Sequence, residues 1–346
     1  VMEARLAFAK AIIQNRKLTE EEIPLIISEK EQIIKKSGLL EYFHPKEYLT
    51  SVGGLENLKE WIHKRGNAYS DSAKDFGLNT PRGVLLLGVP GCGKSLTAKA
   101  IANEWKFPLL RFDLGKVFGG IVGESERNIR YALDVAKTIS PCVLWIDEIE
   151  KGLSGSQSSG RTDGGTSARV FGTFLTWMQE KKEPVFVVAT ANDISSLPPE
   201  LLRKGRFDEI FFVDLPSANE RENIFDIHLK NKGRDAKILG LDMQKLVRAS
   251  EGFSGAEIEE VVNEALFNAY ANGQKDLEMK NLLDCIDATS PLSRTMAETI
   301  ANLRKWAEQR ARLASSEKPE EVKELGEEVP RLQQEYSNPF ISKKSK

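Results

Sequence analysis

The run Gly88-Val-Pro-Gly-Cys-Gly-Lys94-Ser95 fits the spacing G-x-x-x-x-G-K-[ST]. Each part of that spacing answers a need of phosphate chemistry. Gly88, Gly91 and Gly93 let the backbone curl until its N–H groups point inward at an anion. Lys94 adds a point charge for the β- and γ-phosphates of a nucleoside triphosphate, and the Ser95 hydroxyl suits Mg²⁺. The helix expected over Leu96–Trp105 offers its positive N-terminal end to the same phosphates. Pro90, Cys92 and Leu96 complete the segment expected against the nucleotide. The alternative is a chance glycine-rich turn between strand and helix, and the rest of the chain weighs against it.

A second constellation is Val143-Leu-Trp-Ile-Asp147-Glu148, an apolar run ending in two acids. A carboxylate at the end of a buried strand is costly unless it faces a cation or water. Asp147 is expected to hold Mg²⁺ beside the phosphate loop, and Glu148 to orient or deprotonate an attacking water. Two acids capping the next helix is the bland alternative, and it suits either residue better than the pair. Asn192 closes the run Ala189-Thr-Ala-Asn192. An Asn after a strand is usually a turn residue. Third in the order phosphate loop, acidic pair, polar strand end, it becomes a candidate to contact the γ-phosphate or the water.

These loops need strands to carry them. Apolar runs recur at Val84–Leu87, Leu109–Phe112, Val143–Ile146, Val185–Ala189 and Ile210–Val213, mostly separated by helix-like stretches. Runs without alternation fit strands buried on both faces, so a five-stranded parallel α/β sheet between helices is expected. Gly152 to Ser167 is rich in Gly and Ser and reads as a long loop. After Pro216 the strand signal ends. Ser217–Lys230, Met243–Ala249, Ala256–Tyr270 and Met279–Ala288 read as the helices of a small all-α unit.

The ends read differently. The first fifty residues read as helical, with capping-box spacing at Thr19 and Glu22 and a stop at Ser37-Gly38. Near the other end, Met296, Ile300, Leu303, Trp306 and Ala307 form one helical stripe, read chiefly as docking on the protein's own core. Beyond it, an acidic stretch from Glu317 to Glu328 and a basic terminus read as a solvated tail. The expected divisions are 1–47, 48–215, 216–288 and 289–346.

Composition sets outer limits. Across 346 residues, 49 Lys and Arg against 51 Asp and Glu give a net charge of −2. So small a charge leaves no whole-protein field to recruit nucleic acid or an anionic membrane. The longest stretch without a charge, Gly83 to Gly93, is 11 residues. A membrane helix needs about 20, so membrane insertion is not expected. Three cysteines, Cys92, Cys142 and Cys285, lack metal-ligand spacing and fit a reducing compartment. The first twenty residues show no signal peptide, and a start at Val1 leaves room for an upstream domain.

Further motifs complete a resemblance. Val52-Gly53-Gly54-Leu-Glu-Asn-Leu-Lys, Leu201-Leu-Arg203-Lys-Gly-Arg206-Phe-Asp208 and Phe253-Ser-Gly255-Ala256-Glu-Ile follow one another as in the AAA ATPases, a branch of the AAA+ ring machines. The resemblance runs from about Val52 to Ala288. It implies a P-loop α/β domain followed by a helical lid, with ATP and Mg²⁺ in the cleft between them. Val52, Gly53, Gly54, His228, Gly255 and Ala256 match positions near the nucleoside. Arg203 and Arg206 match arginine fingers that reach the γ-phosphate held by a neighbouring subunit. A homo-oligomer follows, most often a hexameric ring in this family, acting on a protein client. The C-terminal segments Pro291-Leu-Ser-Arg-Thr-Met-Ala-Glu and Leu303-Arg-Lys-Trp-Ala-Glu resemble AAA-domain proteins of cyanobacteria and plastid genomes. That narrower resemblance implies cyanobacterial cytosol or plastid stroma, and a link to photosynthetic physiology.

Two departures matter. The first pore loop of the family usually has an aromatic residue where this chain has Ile121, within Phe118-Gly-Gly-Ile121-Val122-Gly123. Threading of unfolded polypeptide therefore loses support, while remodelling of a folded partner does not. Ala256 stands where other AAA+ branches place a sensing arginine, which gives the arginines acting in trans more weight. A competing reading is a nucleotide-gated binding module or scaffold with little turnover; the intact acidic pair argues against it. A nucleic-acid motor lacks the basic, aromatic-interleaved stripe it would need.

Overall fold

The computed structural model describes residues 31, 32, 34, 35, 38–118, 124–152, 164–203 and 205–317, without the side chains of 118 and 164–168. The capped helix from Thr19, the segment at Ile121, residues 153–163 and the tail from 318 lie outside these residues.

The elements in chain order begin with β1 (Leu40–Phe43), α1 (Glu56–Gly66), α2 (Asp71–Asp75), β2 (Gly83–Gly88) and α3 (Lys94–Glu104). Then come β3 (Leu109–Phe112), α4 (Leu114–Phe118), α5 (Glu124–Ile139), β4 (Cys142–Ile146), α6 (Gly164–Glu180), β5 (Val185–Ala191) and β6 (Glu209–Val213). Four helices follow: α7 (Ala218–Asn231), α8 (Met243–Ala249), α9 (Gly255–Ala271) and α10 (Met279–Ala288). The last elements are α11 (Leu292–Thr295), α12 (Ala297–Arg310) and β7 (Arg312–Leu313).

All five apolar runs are strands, and burial on both faces explains why they lack alternation. Every residue of β2, β4 and β5 is buried. Leu85, Leu87, Leu144 and Ile146 join the core on one face with α5, α6 and α12. Val84, Leu86, Val143 and Trp145 join the core on the other with α1 and α3. The sheet has seven strands rather than the expected five, in the order β1-β3-β4-β5-β2-β6-β7. All neighbours are parallel except β1, which pairs antiparallel with β3.

The two additional strands correct the sequence reading at both edges. The helical reading of the first fifty residues fails at Leu40–Phe43. Gly38 (φ +66°) ends the preceding turn, and Phe43 then stacks edge-on against Trp145 with ring centroids 5.8 Å apart. Only Leu40 of this edge strand is fully buried, so it shows no clear hydrophobic signal. The strand β7 has two exposed residues, too few to leave a pattern. The loop read as Gly152 to Ser167 is also shorter than expected, because α6 begins at Gly164.

The lid has a core of its own, contributed by α7 to α10. Its helices start where side chains satisfy the free N–H groups of the first turn. Ser217 with Glu220 and Ser254 with Glu257 form reciprocal capping boxes. The C-terminal stripe turns inward: Ile300, Leu303 and Ala307 are buried. Among the described residues, no helix is long and apolar enough to cross a membrane.

Candidate functional site

Strand order explains how distant residues meet. β4, β5 and β2 are neighbours, and adjacent strands lie about 4.8 Å apart. The segments leaving their carboxyl ends therefore converge, where open α/β sheets bind ligands. These segments carry Asp147 and Glu148, Asn192, and the loop from Gly88 to Ser95.

The loop's glycines are required sterically as well as for phosphate approach. A Cβ on Gly88 (φ +153°) would lie 1.9 Å from the Val213 carbonyl oxygen on β6, a distance that admits no side chain. Gly93 caps α3 in the left-handed region, at φ +84°. Lys94 then turns back under the loop and donates to the carbonyls of Gly88 (2.8 Å) and Val89 (2.7 Å). It is 6% exposed, and burial pushes its ammonium down to about 8 against the pull of neighbouring carboxylates.

Around Asp147 the contacts are specific. The Ser95 hydroxyl donates to Asp147 Oδ1 at 2.8 Å, and the Thr190 hydroxyl donates to the same oxygen at 2.7 Å. Two hydroxyls and a carboxylate form a hard-oxygen donor set. Such a set suits Mg²⁺, which takes one or two carboxylates and completes its shell with water and substrate phosphates.

Glu148 has φ +49°, a left-handed conformation that costs a non-glycine residue about 1–2 kcal/mol. Hydrogen bonds on either side hold it there. Thr190 Oγ1 accepts from the Glu148 N–H at 2.9 Å, and the Thr190 carbonyl accepts from the Ile149 N–H at 3.0 Å. The Asn192 side-chain amide donates to Glu148 Oε1 at 3.1 Å, and Lys151 Nζ lies 2.5 Å from Oε2. Strain held by its surroundings is typical of functional sites.

A cleft of about 460 Å³ between sheet and lid gathers these groups. It is lined by Val52, Gly53, Pro90, Gly91, Cys92, Gly93, Lys94, Ser95, Leu96, Asp147, Glu148, Asn192, His228, Gly255 and Ala256. Four candidates from the sequence do not line it: Gly54, Gly88, Arg203 and Arg206. Gly54 (φ +68°) is packed so closely on Glu220 that a Cβ would fall 2.0 Å from Oε1. Arg203 lines a different cleft, beside α12. Phosphate loop and lid are joined directly, since the Ala256 N–H donates to the Gly91 carbonyl at 2.9 Å. Burial shifts other groups here: the Cys92 thiol up to about 12, and the His228 imidazole below its usual range.

Residues 84–215 match the ATPase family associated with various cellular activities (AAA), and residues 240–284 match the AAA+ lid domain. The chain carries an AAA ATPase domain and its lid. Residues 1–37 also match the second domain of SpoVK-like AAA ATPases. An uncharacterized AAA domain-containing protein, ycf46, of Guillardia theta is 48% identical over 312 residues, 90% of this chain and 61% of the relative. Its counterpart in Pyropia yezoensis is also 48% identical, over 90% of this chain and 63% of the relative. The proteasome-activating nucleotidase of Aeropyrum pernix is 33% identical over 258 residues, 70% of this chain and 60% of the relative. The chain thus spans about three fifths of the length of these relatives.

The AAA cleft also includes residues that sequence reasoning missed. Thr190 stood inside the strand-end run, and a hydroxyl pointing from a buried strand was the available signal. Glu150 does not line the cleft but supports it: two residues beyond Glu148, it accepts the Asn192 N–H at 2.9 Å and is 7% exposed. Burial raises its carboxyl above the usual range. Asp214, Glu220 and Ile224 line the AAA cleft as well, brought there by tertiary packing alone.

Proposed function

We propose that this AAA domain is a Mg²⁺-dependent ATPase, assembled as a ring, whose hydrolysis remodels or regulates a protein partner. The observation that carries the reading is the Ser95–Asp147–Thr190 cluster beside the Glu148–Asn192 pair, in a cleft between sheet and lid.

In this reading the nucleoside lies between Val52-Gly53 and the lid residues His228, Gly255 and Ala256. The triphosphate follows the loop from Gly88 to Ser95, where backbone N–H groups and Lys94 meet its charge. Ser95 and Asp147 would hold Mg²⁺, which when bound neutralises charge on the β- and γ-phosphate oxygens. The Glu148 carboxylate takes a proton from water as the water oxygen bonds to the γ-phosphorus. The bond between that phosphorus and the β,γ-bridging oxygen breaks, and ADP leaves. In this reading Asn192, whose amide donates to Glu148, holds that carboxylate in position and contacts the γ-phosphate.

Arg203 and Arg206 do not line this chain's own cleft, which fits a role in completing a neighbour's site. One relative is named a proteasome-activating nucleotidase, which supports a protein as client. A plastid stroma or cyanobacterial cytosol, with a link to photosynthetic physiology, accords with the ycf46 relatives.

Phosphate release tests the reading. The expected result is steady turnover of ATP that stops when Mg²⁺ is chelated. Tight ATP binding with no release under any magnesium concentration would instead favour a nucleotide-gated scaffold.

A further inference from the structure

Asp214 and Arg304 have no place in the chemistry above, yet they connect its parts. Asp214 directly follows β6, is 8% exposed and lines the nucleotide cleft. Arg304 on α12 grips it with two prongs, Nε to Oδ2 at 2.8 Å and Nη2 to Oδ1 at 3.0 Å. A fork-to-carboxylate pair fixes direction as well as distance.

The helix that carries Arg304 also packs behind the phosphate loop. Ile300 forms a small apolar cluster with Val89 and Leu215, and Met296 and Cys92 pack against it. Val89 and Cys92 belong to the loop itself. Just before α12, the Leu292 N–H donates to Glu257 Oε1 at 2.7 Å, and Glu257 caps the lid helix α9. Just after it, the Ala314 N–H donates to the Phe212 carbonyl at 2.9 Å, and the Ala314 carbonyl accepts from Leu58 of α1 at 3.1 Å. Residues 292–314 therefore touch the phosphate loop, the cap of the lid helix and the helix that follows Val52-Gly53-Gly54.

We propose that Arg304 is a positioning residue for nucleotide binding. Through Asp214 it clamps the C-terminal helix against the back of the phosphate loop, and so fixes the loop relative to the lid. This assignment rests on the reading of the cleft as an ATP site.

The test uses the full chain and three variants. Arg304→Lys keeps the charge and loses the fork. Arg304→Met removes the charge but leaves Asp214 buried without it, which endangers folding. The double variant Asp214→Asn with Arg304→Gln removes both charges and leaves two neutral hydrogen-bonding groups. For each, binding of a fluorescent ADP with Mg²⁺, the KM and kcat of phosphate release, and the melting temperature without nucleotide are measured.

The double variant is expected to raise Kd and KM about threefold to tenfold while kcat changes less, with Arg304→Lys intermediate. Unchanged Kd and KM in both the double and the Lys variant would overturn the assignment, even if the melting temperature fell, because a purely structural brace behaves that way. If the unaltered protein binds no ADP, the reading of the cleft fails and the role of Arg304 falls with it.

Discussion

Arg206→Ala should bind ATP as the unaltered protein does and hydrolyse it about 10³-fold or more slowly. The prediction separates two accounts of the same residue. An exposed ion pair contributes under about 1 kcal/mol, so its loss would leave turnover nearly intact. Among the described residues, neither Arg203 nor Arg206 forms an ion pair. Arg206 Nε is buried without a hydrogen-bond partner, although burying an unsatisfied donor is unfavourable. The segment around it is well anchored: Asp208 Oδ2 accepts from the Arg82 N–H at 2.7 Å, and Phe207 is buried. A guanidinium held on an anchored segment, away from its own cleft, suits charge delivered to another subunit. Equilibrium binding and steady-state phosphate release, measured side by side, check it. Near-normal turnover would remove Arg206 from the mechanism.

Glu148→Gln should retain nucleotide and lose about 10²–10⁴-fold in turnover, the range for deleting a general base. The substitution is close to isosteric, so the left-handed turn at 148 should survive. Its backbone is tied to Thr190, and a Gln oxygen can still accept from Asn192. What disappears is the carboxylate that accepts the proton, together with the ionic contact to Lys151. Phosphate release at saturating ATP is the readout, with nucleotide affinity as the control. If affinity falls along with turnover, Glu148 serves the architecture of the site more than its chemistry.

How much of this was legible in the sequence depended on whether a residue's neighbours were local. The five central strands could be read because both faces are buried, which leaves uninterrupted apolar runs. The edge strands could not. Leu40–Phe43 is only partly buried, and Arg312–Leu313 is held by backbone bonds that impose no side-chain pattern. The phosphate loop and acidic pair were legible because phosphate and metal chemistry dictate residue types at fixed spacing. Thr190 was not, since its role depends on the 2.7 Å contact across to the neighbouring strand. The pair Asp214 and Arg304 lies 90 positions apart and announces itself only once α12 is docked.

If each site is completed by a neighbouring subunit, mixing the two inactive proteins should restore activity. Arg206→Ala subunits keep an intact Glu148, and Glu148→Gln subunits keep an intact Arg206. Random mixing around a ring of head-to-tail interfaces would make about a quarter of them complete. Phosphate release from the equimolar mixture should therefore rise well above that of either protein alone, towards about a quarter of the unaltered rate when interfaces act independently. A mixture no more active than its two components, under conditions where subunits demonstrably exchange, would contradict completion by a neighbour.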